Sequence, residues 1–465
     1  MGVSMGGSMD QSQRLRDLPA VHELLDRLAP ELARFPRTVV VAGIRQVLED
    51  MRAEIAAGRA SGGGVEARVQ QALAALETPS LRHVINATGV VLHTNLGRAP
   101  LGAMTVLPGY TNLEYDLAAG RRGQRDVHAG ALLERLLGAP AIAVNNNAAA
   151  VFLALNELAA AGEVVVSRGE LIEIGDGFRI PEIMARSGAV LREVGTTNRT
   201  RIADYRAAIN QHTRLLMRVH PSNFRMTGFT ARAGLEELVA LGREHNIPVY
   251  EDLGSGCLVD LKPFGIDEPL VSESLKTGVD LVSFSGDKLM GGPQAGVLAG
   301  SPAMVTRLRR NPLFRALRLD KVMYQALENT LRNLLLERWE CLPALAMLRQ
   351  TADQIRARAR ALLARMPEVP AAIVPGESVI GGGATPEQAI PTWLIAVECP
   401  DVMAVERMLR AGDPPAVVPA LVPALVPVVA RIEDGKLILD LRTVFPAEEE
   451  LLAGALLHAL LHARS

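Results

Sequence analysis

Lysine is nearly missing from this chain. Of 49 Lys+Arg residues among 465, lysine holds only five places: Lys262, Lys276, Lys288, Lys321 and Lys436. Arginine has replaced most interchangeable cations, so a lysine kept in a Gly-rich turn is a candidate for work a guanidinium cannot do. A primary amine condenses with an aldehyde to form an imine; a permanently charged guanidinium does not. Cysteine is scarce too. Cys257, Cys341 and Cys399 are odd in number and far apart, which argues against a disulfide framework or zinc cluster and for a reducing compartment. A dominant charge is absent: the formal net charge is −2, so no global basic field points to nucleic acid. No apolar run reaches the ~18 residues of a membrane span. The longest candidate, Ala416 to Ala430, is broken by Pro419, Pro423 and Pro427. The opening Met1-Gly-Val-Ser-Met-Gly-Gly-Ser-Met9 lacks the apolar core of a signal peptide, and its three methionines leave the start open. A cytoplasmic protein without a membrane partner is expected.

What is present divides the chain into three textures. Residues 11–78 read as a helical N-terminal domain: Leu15, Leu18, Val21, Leu24, Leu25 and Leu28, then Val40, Ile44, Val47, Leu48, Met51 and Ile55, recur at helical spacing. Ser61-Gly-Gly-Gly64 interrupts them. Charges there nearly cancel, leaving a structural, dimer-stabilising or RNA-binding role open. Residues 79–335 alternate strand and helix. Strands are expected at 141–144, 164–166, 190–194, 215–219, 249–252 and 281–284, with helices at 180–186 and 235–245 between some of them. That alternation predicts an α/β large domain with a mostly parallel sheet covered on both faces. Residues 336–465 read as linker helices and a small C-terminal α+β domain. Its strands are expected at 390–397, 428–432 and 437–441, its helices at 402–409 and 448–462, and a hairpin turn at Asp434-Gly435. The repeat Pro419-Ala-Leu-Val-Pro-Ala-Leu-Val-Pro427 reads as an extended linker or edge segment.

Lys288 lies in Phe284-Ser-Gly-Asp-Lys-Leu-Met-Gly-Gly-Pro-Gln-Ala-Gly296, after an apolar strand. A pyridoxal phosphate enzyme of the aminotransferase-like fold needs four devices, and each has a candidate. Lys288 would tether the cofactor, with Gly286, Gly291 and Gly292 letting the backbone turn beside a flat ring. Asp252, ending the strand Val249-Tyr-Glu-Asp, would hold the ring nitrogen protonated; taken alone it would be read as a capping residue. Asn145-Asn-Asn-Ala-Ala-Ala150 offers a phosphate cradle at a helix start, through Asn146, Asn147 and Ala148, although simple capping by asparagine gives the same pattern. Ser285, three residues before the lysine, could add a hydroxyl. Cationic substrate recognition could come from Arg98, and from Arg315 and Arg318, which share a helix face at i and i+3. Surface placement explains such arginines equally well, and likewise Arg121, Arg122 and Arg125. Asp287 either steers the lysine's protonation or caps the turn. His93 and His220 read as structural histidines near the site.

Taken together, these motifs resemble the bacterial L-seryl-tRNA(Sec) selenium transferases, pyridoxal phosphate enzymes of fold type I. The likeness rests on Ile85-Asn-Ala-Thr-Gly-Val-Val-Leu-His-Thr-Asn-Leu-Gly-Arg98, Val144-Asn-Asn-Asn-Ala-Ala-Ala150, Ser167-Arg-Gly-Glu170, Glu193-Val-Gly-Thr-Thr-Asn-Arg199, Glu251-Asp-Leu-Gly-Ser-Gly256, the Lys288 segment, Arg315-Ala-Leu-Arg318 and Val429-Ala-Arg-Ile-Glu-Asp-Gly-Lys-Leu-Ile-Leu-Asp-Leu-Arg442. It covers residues 80–445 and is looser at the N-terminus. The resemblance implies pyridoxal 5′-phosphate on Lys288, with Lys288 and Asp287 catalytic. It implies selenophosphate on Arg98, Arg315 and Arg318, tRNA(Sec) charged with serine as substrate, and tRNA contacts from the N-terminal helices. It implies β-elimination from the seryl group to an aminoacrylyl intermediate, then addition of selenium. It also implies a cytoplasmic homodecamer built from dimers. A pyridoxal phosphate lyase acting on a small amino acid without tRNA is the competing reading.

Overall fold

Apolar periodicity sets the first layer of structure. In this computed structural model, which describes residues 13–58, 63–174, 177–221, 224, 226–383, 388–412 and 426–463, the N-terminal pattern folds as helices. They include α1 (Val21–Arg27), α2 (Arg37–Ala56) and α3 (Val65–Glu77). On α2 the buried positions are Val40, Ile44, Val47, Leu48, Met51 and Ile55. They pack with Leu24 and Leu28 and with Val69 and Leu73 of α3. Each such side chain contributes roughly 1.5–3 kcal/mol by leaving water. Arg68 closes the α2–α3 pair with a two-pronged bond to Glu54 at 2.7 and 2.9 Å. These helices belong to a compact unit drawn from residues 1–85, 399–429 and 447–465. The same unit holds the helices Val402–Ala411 and Glu449–His462.

A second unit spans residues 86–398 and 430–446. Its strands of three residues or more, in chain order, are β1 (Val90–Leu92), β2 (Ala141–Val144), β3 (Glu163–Ser167), β4 (Val190–Val194), β5 (Thr213–Val219), β6 (Val249–Gly254), β7 (Leu281–Ser285), β8 (Gly296–Gly300), β9 (Ala371–Gly381), β10 (Ala389–Val397), β11 (Arg431–Glu433) and β12 (Lys436–Asp440). The large sheet runs β2-β8-β7-β6-β5-β3-β4. Strands β3 to β7 pair in parallel, while β8 lies antiparallel between β7 and β2. Successive residues feed two separate cores. Ala141, Ala143, Val165, Leu216, Val249, Val282 and Val297 face one, and Ile142, Val144, Val164, Val166, Leu215, Tyr250 and Leu298 face the other. Both faces are covered, which is why these strands read as unbroken apolar runs. The helix α4 (Val127–Leu137) packs against α6 (Lys321–Leu335), and α5 (Asn147–Ala159) lies over β7 and β8.

The smaller sheet runs β11-β12-β10-β9-β1. Strand β1 comes from far upstream and joins β9 in parallel, Val379 beside Val90 and Gly381 beside Leu92. Asp434 and Gly435 form the two-residue turn between β11 and β12, with φ of 49° and 75° as a primed turn requires. The strand expected over 428–432 is broken at Ala430 into Val428–Val429 and Arg431–Glu433. The Pro-Ala-Leu-Val repeat lies outside the described residues as far as Leu425, and part of the Ser61–Gly64 break does too. Among the described residues no helix is long and apolar enough to cross a membrane, and no side-chain cluster could hold a metal ion.

Candidate active site

The parallel strands end together, and ligands of α/β sheets bind at those carboxyl ends. Strand β7 stops at Ser285 and the chain turns back through Lys288 into β8. Gly286 N–H donates to Ala295 at 2.7 Å and Gly292 N–H to Gly286 at 2.9 Å, so the turn is fixed by its own backbone. Lys288 is 4% exposed. Among the described residues its Nζ reaches only the Gly383 carbonyl, at 3.4 Å. Burial pushes its pKa down, the Arg98 charge adds to that, and Asp252, Asp287 and Glu268 oppose it. A buried amine biased toward its neutral form is a nucleophile in waiting.

Asp252, near the end of β6, is also buried. It accepts from Asn147 Nδ2 at 2.8 Å and from Ser283 Oγ at 3.1 Å. Burial raises its pKa, and the Asn147 and Ser283 bonds and the Lys288 charge pull the other way. A cationic ring nitrogen delivered to it would favour the carboxylate outright. Asn146 caps α5, its side chain accepting from Ala149 N–H at 2.8 Å, and Asn147 and Ala148 open the first turn. Gly296 of β8 faces this turn so closely that a Cβ there would lie 2.1 Å from the Asn146 carbonyl oxygen. The cradle can form only with glycine at that place. Asn147 Oδ1 is buried without a hydrogen-bond partner, a polar atom waiting for a ligand. These residues fit pyridoxal phosphate: an amine for the aldehyde, an acid for the ring nitrogen, and a helix N-terminus with Ser285 nearby for the phosphate.

The predicted arginines divide. Arg98, held at φ 62°, donates to Asp287 Oδ2 at 2.7 Å. Ala99 N–H bonds the Asp287 carbonyl at 3.1 Å, so the Arg98 loop is clamped to the lysine turn. Such a left-handed arginine costs about 1–3 kcal/mol and persists only where its surroundings hold it. Arg315 and Arg318 instead line a cavity of about 280 Å³ with Glu114, Arg125 and Tyr324, and none of Arg98, Asp252, Asp287 or Lys288 lines it. Arg318 shares Glu114 with Arg122 and Arg125. The connection to the cradle is through backbone: Asn145 N–H donates to Leu317 at 2.9 Å, and Arg318 bridges Val144.

Sequence reasoning gave Glu268 and Arg232 no role and set His220 aside. The three line a larger cavity, about 500 Å³, with Thr200, Phe224 and Met226 among its walls. Glu268 is 6% exposed and lies 3.6 Å from His220 Nε2. Burial pushes Glu268 up, opposed by the Ser255 hydroxyl and the Lys288 charge. His220 is pushed down to about 4 by burial, then by Arg218, Arg232 and Lys288. Glu170, which accepts from Val219 N–H at 3.0 Å, is pushed up to about 7 by burial. No motif spacing announces this cluster, because it forms where separate strand ends converge.

The family model described as L-seryl-tRNA selenium transferase matches residues 84–445. The chain belongs to the L-seryl-tRNA selenium transferase family. A second model, selenocysteine synthase N terminal, matches residues 15–52. The chain is 43% identical to the L-seryl-tRNA(Sec) selenium transferase of Aquifex aeolicus, over 93% of this chain and 95% of that one. It is 47% identical to the one from Geobacter sulfurreducens, over 94% and 98%, and 45% identical to the one from Moorella thermoacetica, over 97% and 98%. Among solved structures, D-glucosaminate-6-phosphate ammonia-lyase superposes with a TM-score of 0.55 at 21% identity, covering 83% of this chain and 97% of its own, a likeness of fold. All the predicted site residues of this selenium transferase family member, from Arg98 to Arg318, fall inside the 84–445 match.

Proposed function

We propose that this chain converts L-seryl-tRNA(Sec) to L-selenocysteinyl-tRNA(Sec), with pyridoxal 5′-phosphate held on Lys288 and selenophosphate as selenium donor. One observation carries the reading: in a chain of this family, the buried amine of Lys288 sits with Asp252 and Asp287 beside an anion cradle. When bound, the cofactor supplies an electron sink that lets the serine Cα lose its proton.

The chain's own residues do the rest. Asp252 sets the ring's position and charge. Asn146, Asn147 and Ala148 present the first turn of α5 to the phosphate, and Ser285 adds its hydroxyl. Lys288 would hold the cofactor's aldehyde through Nζ and, once freed, would take the Cα proton at that atom. Asp287, oriented by Arg98, serves the β-hydroxyl as it leaves as water. Arg98, Arg315 and Arg318 hold selenophosphate; Arg98 must then share its guanidinium between that anion and Asp287. Helices α1 to α3 contact the tRNA. The working form is a cytoplasmic homodecamer built from dimers, which brings further copies of these arginines and helices to each site.

The test is conversion of Ser-tRNA(Sec) and selenophosphate to Sec-tRNA(Sec) by the purified protein with pyridoxal phosphate. Lys288→Ala and Lys288→Arg should both lose the visible absorption of the lysine-bound cofactor and at least ~10³-fold in kcat/KM, about 4 kcal/mol. Borohydride reduction followed by peptide mapping should place the label on Lys288; a label elsewhere overturns the lysine assignment. Absent or equal binding of tRNA(Sec) and tRNA(Ser) would instead favour the small-molecule lyase.

A further inference from the structure

The 500 Å³ cavity presents two cations outside any ion pair among the described residues, one of which, Arg232, feels the charge of buried Glu170. Arg199 and Arg232 both line it, and neither guanidinium meets a carboxylate within ion-pair distance among the described residues. Their neighbours are paired: Arg218 with Glu251 at 2.8 Å and Arg168 with Glu193 at 2.9 Å. The two free arginines stand on backbones stitched side by side. Thr200 N–H donates to Ala231 at 2.9 Å, Ala231 N–H donates to Asn198 at 3.1 Å, and Arg199 bridges Ala231. Ser167 Oγ locks the same strip through Thr200 Oγ1 at 2.7 Å. Phe224 and Met226 give the cavity an apolar wall. Glu268 Oε1, buried 3.6 Å from His220 Nε2, has no hydrogen-bond partner among the described residues, and its carboxylate feels the Ser255 hydroxyl and the Lys288 charge. Two cations, an apolar wall and one buried acceptor that feels the Lys288 charge describe a particular ligand: an anion joined to a planar base through a polyol.

We propose that this cavity seats the 3′-terminal nucleotide of the aminoacylated tRNA. Arg199 and Arg232 take its phosphate, Phe224 and Met226 face its base, and Glu268 accepts from the ribose hydroxyl beside the ester. The inference rests on the seryl-tRNA reading above and says where that substrate's end must lie. The seryl ester hangs directly from the terminal ribose, so the nucleotide has to lie near Lys288, and the wall of this cavity is tied to that site by His220 N–H, which donates to the Asp252 carbonyl at 2.8 Å.

The probe is adenosine 5′-monophosphate carrying serine through a 3′-amide, compared with the same compound lacking the 5′-phosphate. Both are titrated into full-length protein loaded with pyridoxal phosphate. The phosphorylated compound should bind about tenfold more tightly to the unaltered protein. Arg232→Gln and Arg199→Gln should each shrink that difference to threefold or less while keeping the cofactor's absorption. A difference that survives in both variants overturns the subsite. If the unaltered protein makes Sec-tRNA(Sec) yet binds the two compounds alike, the subsite is wrong and the reaction stands. If no Sec-tRNA(Sec) forms at all, the reaction assignment falls and the subsite falls with it.

Discussion

Two buried polar clusters in the larger unit are built to opposite rules. Around Arg442, wholly buried, four of the five guanidinium N–H donors are used. Its guanidinium donates to Ser378 Oγ at 2.9 Å, to the Met347 and Gln350 carbonyls at 3.0 and 2.7 Å, and to the Pro391 carbonyl at 2.7 Å. Asp440, equally buried, accepts from Ser378 and Thr392 side chains and from the Arg442 N–H. Around Lys288 the accounts stay open. Among the described residues Asn147 Oδ1 is buried without a hydrogen-bond partner, Glu268 Oε1 has only His220 at 3.6 Å, and the lysine has one long bond to a carbonyl. Burying charge costs several kcal/mol per ion unless it is fully paired. The first cluster meets that cost by itself and holds loops to a sheet. The second leaves atoms that a ligand could complete, which is why we propose it as the site.

The contrast breaks most visibly at Arg442. Arg442→Met should cost about 3–5 kcal/mol, because three backbone carbonyls and the Ser378 hydroxyl lose their buried donor at once. Denaturant unfolding of the cofactor-free protein measures it, and a cost under ~1 kcal/mol would deny the cluster its structural role. Next comes pH. His220 has its pKa lowered from an ordinary 6.5 to about 4, so between those values the unfolded chain binds the extra proton and the folded one does not. Stability from this group is therefore full above pH 6.5 and lost as pH falls toward 4, by on the order of 2–3 kcal/mol. His220→Asn should flatten that part of the stability–pH curve. Glu170, raised to about 7, has the opposite slope between 4.5 and 7, so the comparison must be variant against parent across the whole range. The smallest effect belongs to Glu268. Glu268→Gln should change stability by less than ~0.5 kcal/mol, since it removes a buried charge that has no full set of partners. A loss above ~2 kcal/mol would move Glu268 into the structural class with Asp440.

Legibility in the sequence followed burial. Strands such as Ala141–Val144 and Leu281–Phe284 are enclosed on both faces, so apolar runs revealed them. Lys288 stood out by composition, and Asp252 and Asn147, proposed 105 residues apart, meet in one hydrogen bond. Strand β9 was hidden because it carries Pro375, Gly376 and Glu377. It tolerates Pro375 because only β10 pairs with it there, β1 joining from Val379 onward. Strand β1, three residues long, has no periodicity to read, and β8, Gly-Val-Leu-Ala-Gly, looked like the tail of the lysine turn. The Arg199–Arg232 strip and Glu268 were invisible for a different reason. Their meaning lies in what they fail to touch, and absence of a partner is a property of three-dimensional space.

The closeness of Gly296 to Asn146 ties assembly to timing. Strand β8 slides between a strand finished near residue 144 and another finished near 285, and only then does bare backbone press against the first turn of α5. Vitamin capture must therefore wait until synthesis has passed residue 300 and that last strand has been threaded in. The colour of the bound cofactor is thus also a receipt for a completed sheet.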